Sequence, residues 1–267
     1  MCEQKHDVDA PIRAHVPIGA GAYALTLSAP ALAARVQPGQ FVEVGLNQPD
    51  LVLRRPFSVF DTDGETLTIL YQALGRGTTR LTAFRPGTVL RVAGPLGRGW
   101  PASDPGARVL LVGGGIGAAP LHMLAVRLSG VDGTQVTLIQ AARTAEALAG
   151  CDRLADAVDT VHYATDDGTR GHQGLVTEPV AAALEAGEYD VAYVCGPEPM
   201  MQAVSALTVA AGIQTWVSME RLMACGVGAC LSCVLPTRSG QVRVCVDGPV
   251  FDAQEVDWDA ARSSRVH

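Results

Sequence analysis

The sequence predicts three consecutive units: an antiparallel β-barrel, a parallel five-stranded α/β domain and a small cysteine-rich domain. Three observations lead to this prediction. Short β-rich runs broken by turn residues come first, strand-like runs then alternate with Ala-rich helical segments, and four closely spaced cysteines follow near the C-terminus. We expect the units to span residues 1–104, 105–218 and 219–267.

The composition excludes several classes of partner. A chain of 267 residues with 48% hydrophobic residues has enough apolar material for two cores and an appendage. Its net charge of −7 opposes binding to nucleic acids and to anionic lipid. The N-terminus lacks the apolar stretch of a secretory signal, and the longest apolar run, 109–121, is too short and glycine-rich to span a bilayer. We therefore expect a soluble, cytoplasmic protein with no nucleic-acid or membrane partner.

The first unit contains five strand-like runs. They read YALTL, FVEVGL, FSVF, TLTILY and TVLRVAG, and turn sequences such as QPGQ, DTDG and RPGT separate them. This rhythm is typical of an antiparallel barrel or sandwich. The segment 94–108 is rich in glycine and proline, so it is predicted to connect the first unit to the second.

Three short motifs in the first unit point to a phosphate-bearing cofactor. The guanidinium of Arg55 can pair with a pyrophosphate, and the Ser58 hydroxyl can hydrogen-bond to a ring nitrogen. Gly77 and Thr78 open a predicted helix, whose first N–H groups are free to bind phosphate. The remaining motif, Leu70-Tyr71-Gln72, ends a predicted strand. Alternatively, Arg55 is an edge-strand residue before a proline, and Tyr71 is equally well explained as a barrel residue.

The second unit carries two strand-to-helix turns. Its strands are predicted in RVLLV, QVTLIQ, TVHYA, DVAYVC and IQTWV. A glycine-rich turn after the first strand allows a close backbone approach to a pyrophosphate, although such turns also arise for packing alone. Both turns open on one sheet edge, where Cys195 either approaches a nicotinamide or is simply buried. The predicted nucleotide-binding residues are Gly113, Gly114, Gly115, Gly117, Cys195, Gly196 and Pro197.

The third unit has the spacing C-x4-C-x2-C, followed after eleven residues by a fourth cysteine. This spacing suits a [2Fe-2S] cluster held by Cys225, Cys230, Cys233 and Cys245. Four thiolates also satisfy tetrahedral zinc, and free buried cysteines are a further alternative. Zinc ligands usually form two short C-x2-C pairs, so the four-residue gap favours the cluster.

The order of these motifs, R-P-x-S, G-T, GGGIGAAPL and CGPEPMM, resembles the ferredoxin–NADP reductase superfamily. With the C-terminal segment MACGVGACLSC…VCVDGPVF, nearly the whole chain is similar to the electron-transfer subunits of NAD-dependent dihydroorotate dehydrogenases. Ile116 departs from the superfamily, in which many members have threonine. Arg143 follows the second strand of the α/β unit, where it would be able to meet a 2′-phosphate, but the family's usual NAD is expected.

The resemblance implies three cofactors: FAD, a [2Fe-2S] cluster and NAD. It also implies an FMN-containing catalytic subunit that oxidises dihydroorotate in pyrimidine biosynthesis, joined in a heterotetramer with two copies of each subunit. The four cysteines would hold the cluster. The residues that would bind FAD are Arg55, Pro56, Phe57, Ser58, Leu70, Tyr71, Gln72, Gly77 and Thr78.

Two other functions remain as alternatives at the level of sequence. One is an NAD(P)H-dependent reductase subunit that serves a ferredoxin, sulfide or hydrogenase complex, because it would share every cofactor site. The other is a redox-sensing or zinc-stapled binding module without turnover. The C-terminal sequence CVDGPVFDAQEV favours the dihydroorotate-oxidising partner.

Overall fold

The computed structural model describes residues 6–148 and 150–263. Its first unit is a closed antiparallel barrel in the strand order β1-β2-β5-β4-β3-β6. The barrel therefore confirms the first unit of the predicted fold. Its strands are β1 His6–Gly19, β2 Ala22–Ser28, β3 Phe41–Gly45, β4 Arg55–Thr62, β5 Thr66–Gln72 and β6 Val89–Leu96.

Alternating side chains build the barrel. Every second residue of β5 and β6 is buried, because successive side chains of a strand point to opposite faces. Five of the six strands correspond to the predicted runs, and the long strand β1 is an addition. Two short helices, α1 Pro30–Ala33 and α2 Arg76–Leu81, lie in the connections, and α2 begins at the predicted Gly-Thr motif.

The second unit is a parallel sheet in the strand order β10-β9-β8-β7-β11-β12. Every residue of β11 is buried, as expected for a central strand covered on both faces. The strands are β7 Arg108–Gly114, β8 Gln135–Ala142, β9 Thr160–Thr165, β10 His172–Gln173, β11 Val191–Cys195 and β12 Gln214–Ser218. The connecting helices are α3 His122–Ser129, α4 Cys151–Ala155, α5 Thr177–Ala186 and α6 Glu198–Ala210, together with 3-10 helices at Gly115–Leu121 and Ala145–Ala147.

The third unit is joined to the second through the sheet. Its last strand, β15 Val250–Asp252, pairs antiparallel with β12, with Val217 opposite Phe251. The sheet therefore has seven strands: the five predicted ones, the two-residue β10 and this strand from the cysteine-rich segment. The elements are β13 Val234–Thr237, β14 Gly240–Arg243, α7 Val244–Asp247, β15 Val250–Asp252 and α8 Trp258–Ser263.

The connection between barrel and sheet is packed into both. The Trp100 indole N–H donates to the carbonyl of Pro120 at 2.9 Å, and the Tyr193 hydroxyl donates to the carbonyl of Pro101 at 2.9 Å. The rings of Trp100 and Tyr193 meet edge to face, with centroids 5.6 Å apart. On the barrel side, the Trp100 backbone N–H donates to the carbonyl of Pro38 at 2.8 Å, so the connection contacts both units. Among the described residues, no helix combines the length and apolar character needed to cross a membrane.

Candidate functional site

A cavity of about 300 Å³ lies where the barrel, the sheet and the cysteine-rich segment meet. We call it the barrel pocket. It brings together two of the three motifs predicted from the first unit, which are far apart in sequence. The residues of these motifs that line it are Pro56, Phe57, Ser58, Leu70, Tyr71 and Gln72.

The other predicted flavin residues lie together beside this pocket rather than in its lining. The guanidinium of Arg55 covers Gly77, where an added Cβ would lie 2.8 Å from the guanidinium carbon. Glycine at this position therefore leaves room for the arginine. The Thr78 hydroxyl accepts hydrogen bonds from the N–H groups of Leu74 and Gly75 at 3.0 Å each, so it stabilises the start of α2.

Tyr71 lies in an aromatic cluster at the wall of the barrel pocket. Its ring stacks on Tyr23, with centroids 5.5 Å apart, and contacts Phe57 at 5.7 Å. Burial raises the pKa of the Tyr71 hydroxyl above its usual value, and the neighbouring Tyr23 raises it further. Tyr71 is therefore a neutral, fixed aromatic surface at physiological pH.

A second cavity, of about 440 Å³, opens at the carboxyl edge of the parallel sheet. We call it the sheet-edge pocket. Both predicted turns line it, as expected for parallel strands that end at one edge. Ile116, Gly117, Gln72 and Glu220 line both cavities, so the two pockets adjoin. The predicted residues in its lining are Gly114, Gly115, Gly117, Gly196 and Pro197.

The glycines of the two turns are needed for close packing. A Cβ at Gly117 would lie 2.7 Å from the Cα of Gly196, and one at Gly114 would lie 2.8 Å from the Pro197 ring. Any side chain at these positions would push the turns apart. This closely packed, backbone-lined edge fits a pyrophosphate, which needs close approach to main-chain N–H groups.

Gly113 and Cys195 are also predicted to bind the nucleotide, but they are not among the residues that line the sheet-edge pocket. They are paired neighbours on β7 and β11. A Cβ at Gly113 would be 2.6 Å from the Cβ of Ala118, and Cys195 is buried at the end of its strand. Burial raises the pKa of the Cys195 thiol, so the group is neutral.

The four C-terminal cysteines meet as two pairs. The N–H of Cys230 donates to the Sγ atom of Cys225 at 3.4 Å, and the N–H of Cys245 donates to that of Cys233 at 3.5 Å. Cys230 is exposed, whereas Cys233 and Cys245 are buried. Two pairs of thiolates suit a two-iron cluster, in which each iron takes two protein ligands.

The loop between these cysteines supports their use as ligands. Gly226 and Gly228 have φ angles of 64° and 81°, which glycine adopts without strain. The pKa of Cys230 is lowered to about 6, chiefly by a hydrogen bond with the Ser232 hydroxyl. This lowered pKa favours the thiolate of Cys230, which is the ligand form, whereas burial raises the pKa of Cys245 to about 12. Across residues 6–148 and 150–263, no group of three or more His, Cys, Asp or Glu side chains is arranged to hold a single metal ion.

The structure adds residues that the sequence motifs did not indicate. Glu220, Arg221 and Met223, which precede Cys225, line the barrel pocket. The guanidinium of Arg221 forms a buried ion pair with Glu198 at 2.8 Å, which ties the cysteine-rich segment to α6. No local spacing signals such contacts, because they join residues that are distant along the chain.

Comparisons with known proteins agree with this arrangement. Residues 220–257 match a family described as the iron-sulfur cluster binding domain of dihydroorotate dehydrogenase B, and residues 111–206 match an oxidoreductase NAD-binding domain. The solved structure reported for an NADH-dependent reduced ferredoxin-NADP oxidoreductase superposes with a TM-score of 0.87 at 28% identity, over 98% of this chain and 94% of that chain. A ferredoxin NADP+ reductase from Neisseria gonorrhoeae shares the fold, with a TM-score of 0.66 at 18% identity over 77% of this chain and 92% of that chain.

Curated relatives extend the similarity to nearly the whole chain. A protein of Shouchella clausii, named dihydroorotate dehydrogenase B (NAD(+)), electron transfer subunit, is 40% identical over 88% of this chain and 92% of its own length. A protein of the same name from Clostridium perfringens is 35% identical over 92% of this chain and 96% of its own length. The chain therefore belongs to the family of dihydroorotate dehydrogenase B electron transfer subunits.

Proposed function

We propose that this chain passes electrons from an FMN-containing, dihydroorotate-oxidising subunit through a [2Fe-2S] cluster and FAD to NAD+. The observation that carries the proposal is the contact between three sites. The barrel pocket and the sheet-edge pocket share Gln72, Gly117 and Glu220, and the barrel pocket also touches Met223, two residues before Cys225. A short relay needs cofactors that lie side by side, and this junction provides neighbouring places for them.

The chain's own residues would bind and orient the cofactors. Arg55, beside Gly77, is the cation available to a flavin pyrophosphate, and Ser58 offers a hydroxyl in the barrel pocket. In the sheet-edge pocket, the close-packed turns at Gly117 and Gly196 present backbone to the NAD pyrophosphate. Cys225 and Cys230 would ligate one iron, and Cys233 and Cys245 the other.

The boundary between the two pockets is where nicotinamide and flavin would meet. A flavin, when bound, exchanges hydride with a nicotinamide and single electrons with an iron-sulfur cluster. Gln72 from the barrel and Glu220 from the segment before the cysteines line both pockets, so they would hold the two rings at this boundary. This chain does not need residues that transfer protons to or from dihydroorotate, because dihydroorotate would react on the partner subunit.

The cysteine loop carries the surface that we assign to the partner subunit. Leu222, Val227 and Leu231 lie within eight residues of the exposed Cys230 and are themselves exposed by 70%, 51% and 60%. The Ser232 hydroxyl joins the two ends of this segment, because it contacts the Cys230 Sγ atom at 3.2 Å and donates to the Leu222 carbonyl at 3.3 Å. Large apolar side chains clustered on a surface mark a protein contact. Docking here would bring the partner's FMN close to the cluster, in a heterotetramer of two catalytic and two electron-transfer subunits.

We also propose NAD as the nucleotide and the cytoplasm as the location. NAD follows from the family membership, although Arg143 lines the sheet-edge pocket together with Asp166. A reducing compartment agrees with the use of four cysteines as cluster ligands rather than in disulfides.

Anaerobic co-purification with the FMN-containing subunit tests the proposal. We expect a coloured complex that contains FAD, FMN, two irons and two sulfides per copy of this chain, and that reduces NAD+ when dihydroorotate is added. The variant L222D should weaken the complex, because it places a charge in the apolar surface. Val126→Asp is the matched control, since Val126 is an exposed apolar residue of α3, a helix outside the cysteine-rich segment.

Two results would contradict this function. A colourless, zinc-containing chain would exclude the relay. The other is a stable complex with a dehydrogenase for another substrate, together with no dihydroorotate-dependent reduction of NAD+. In that case the proposed partner is wrong, but the proposed cofactor sites stand.

A further inference from the structure

The two nitrogen atoms of His15 connect separate parts of the barrel. Nδ1 lies 3.0 Å from the backbone carbonyl oxygen of Phe84, and Nε2 lies 2.8 Å from the Tyr71 hydroxyl. His15 lies on β1, Tyr71 on β5, and Phe84 in the turn after α2. One imidazole therefore joins three elements that are separate in sequence.

These contacts determine which nitrogen carries the proton. The Phe84 carbonyl is only an acceptor, so Nδ1 of His15 must donate to it. In the neutral imidazole, Nε2 is then an acceptor, and the Tyr71 hydroxyl must donate its proton to it. The direction of the Tyr71 O–H bond is therefore set by His15.

Both partners of His15 belong to the flavin half of the junction. Tyr71 lines the barrel pocket. The N–H of Phe84 donates to the carbonyl of Leu81, the last residue of α2, and α2 carries Gly77 beneath the guanidinium of Arg55. His15 thus links the tyrosine of one predicted flavin motif to the helix of another.

Packing alone does not explain a histidine at this position. The His15 ring contacts Tyr23 and Tyr71 with centroids 5.5 and 5.9 Å apart, which an apolar aromatic ring would also do. A phenylalanine, however, would leave the Tyr71 hydroxyl without this partner. It would also remove one donor from the Phe84 carbonyl, which keeps the Arg85 guanidinium at 3.2 Å. The two hydrogen bonds are what histidine adds.

We infer that His15 is a positioning residue for FAD: its ring, placed by the Phe84 carbonyl, holds the Tyr71 hydroxyl in one orientation, so that the barrel pocket is preformed. The inference rests on the proposed function, in which the barrel pocket binds FAD. It assigns a role to a residue outside the predicted flavin motifs. His15 acts through Tyr71 and does not itself need to touch the cofactor.

Three substitutions at His15 separate its two hydrogen bonds. The side-chain oxygen of H15Q reaches the Nε2 position and can still accept the Tyr71 proton, whereas the shorter amide of H15N matches only the Nδ1 position and the Phe84 carbonyl. H15F keeps an aromatic ring and loses both bonds. FAD affinity should decrease about fivefold to tenfold in H15N and H15F, the effect of one hydrogen bond, and stay within about twofold of wild type in H15Q.

FAD binding to the full chain, stripped of flavin, is followed by flavin fluorescence, and the visible circular dichroism of bound FAD reports its environment. Y71F should reduce the affinity as much as H15F, and the double variant H15F/Y71F should be no worse than either one. The dichroism of H15F and Y71F should change in the same way. Thermal unfolding identifies any variant that fails to fold. If H15F does not fold, the FAD affinities of H15Q and H15N are compared instead.

The outcomes separate this inference from the function on which it rests. If the wild-type chain binds no FAD, the proposed function fails. If wild type binds FAD but H15N and H15F match it, His15 has no positioning role. Additive losses in H15F and Y71F, or a loss in H15Q equal to that in H15N, would also overturn the role through Tyr71.

Discussion

His122 is a buried histidine at the contact between barrel and sheet. It begins α3, and its ring stacks on Phe60 of β4 with centroids 4.3 Å apart. Its Nε2 lies 3.8 Å from a carboxylate oxygen of Asp61, which also pairs with Arg153. Burial lowers the pKa of His122, and although Asp61 opposes this shift, Arg153 adds to it.

This lowered pKa predicts a pH-dependent loss of stability. Above the unfolded value of 6.5, His122 is neutral in both states and contributes no pH dependence. Below it, the unfolded chain gains a proton that the native chain does not take up, so the native state loses stability until the pH reaches the lowered native pKa. The variant H122Q should therefore lose less Tm than wild type between pH 7.5 and pH 5.5, by about 2–4 °C for a loss near 1 kcal/mol.

Thermal melts of the full chain at several pH values measure this difference. His162→Gln replaces an exposed histidine of β9 and serves as the matched control, which should follow wild type. Equal pH dependence in wild type and H122Q would mean that His122 does not contribute to acid instability.

At the scale of elements, the two strand-to-helix turns pack directly against each other. The turn after β7 and the turn after β11 touch at Gly117 and Gly196, where neither has space for a Cβ atom. The strand pairing of β7 with β11 makes this contact possible, since it places both turns at the same edge.

Gly117→Ala should weaken NAD binding, and the FAD content per chain is measured beside it because Gly117 also lines the barrel pocket. The added methyl group would lie 2.7 Å from the Cα of Gly196, and backbone atoms must move to relieve that contact. We expect the KM for NADH in dye reduction to rise about tenfold, which corresponds to about 1.4 kcal/mol. Gly130→Ala is the control, because its nearest neighbour would be 3.6 Å away. An unchanged KM in G117A would show that these turns do not shape the nucleotide site.

The ion pair between Glu198 and Arg221 holds the cysteine-rich segment against α6. Both side chains are only 7% exposed, and a second Arg221 nitrogen donates to the Ala261 carbonyl at 3.2 Å. Removal of one partner from a buried pair costs far more than removal from an exposed pair.

Arg221→Met should therefore destabilise the chain by about 3–5 kcal/mol. The matched control is Arg262→Met, because Arg262 and Asp259 form an exposed pair at 3.8 Å. Denaturant unfolding monitored by tryptophan fluorescence measures both variants. Similar small effects in the two variants would mean that the Glu198–Arg221 pair does not anchor the segment.

At the scale of the whole molecule, the three units converge on one junction. The barrel contributes Tyr71, the sheet contributes Gly117, and the cysteine-rich segment contributes Met223 to the barrel pocket. Strand β15 pairs with β12, so the cysteine-rich segment is attached to the sheet by backbone hydrogen bonds. Cys230 is exposed, so a partner that delivers electrons to the cysteine-rich segment would be able to approach it.

Cys230→Ala tests the order of the relay. We expect the variant to lose nearly all dihydroorotate-dependent NAD+ reduction with the partner, because it lacks one of the four cysteines that we propose as cluster ligands. Oxidation of NADH by a dye should continue at close to the wild-type rate, since it passes through FAD alone. Steady-state assays of both reactions, with FAD and iron measured per chain, provide the comparison. Loss of dye reduction in a folded, FAD-loaded variant would show that the cluster is not at the inlet.

Much of the chemistry could be predicted from local sequence. Four cysteines in a characteristic spacing indicated the cluster, since the proposed ligands come from one short segment. Alternating and buried-type runs predicted the barrel and five strands of the sheet, because hydrophobic periodicity reflects which faces are buried. The addition of β15 to the sheet had no such signal, as a three-residue strand is too short to show a period.

The sequence by itself therefore determined which chemical groups this protein carries: the thiolates, the glycine turns and the R-P-x-S motif. Only the tertiary structure decided how they meet: the pairing of Cys225 with Cys230 and of Cys233 with Cys245, the shared wall of the two pockets, and the link from His15 to Tyr71. The physical reason is distance along the chain. Local patterns record secondary structure and ligand spacing, whereas contacts between remote residues depend on how the barrel and sheet pack together.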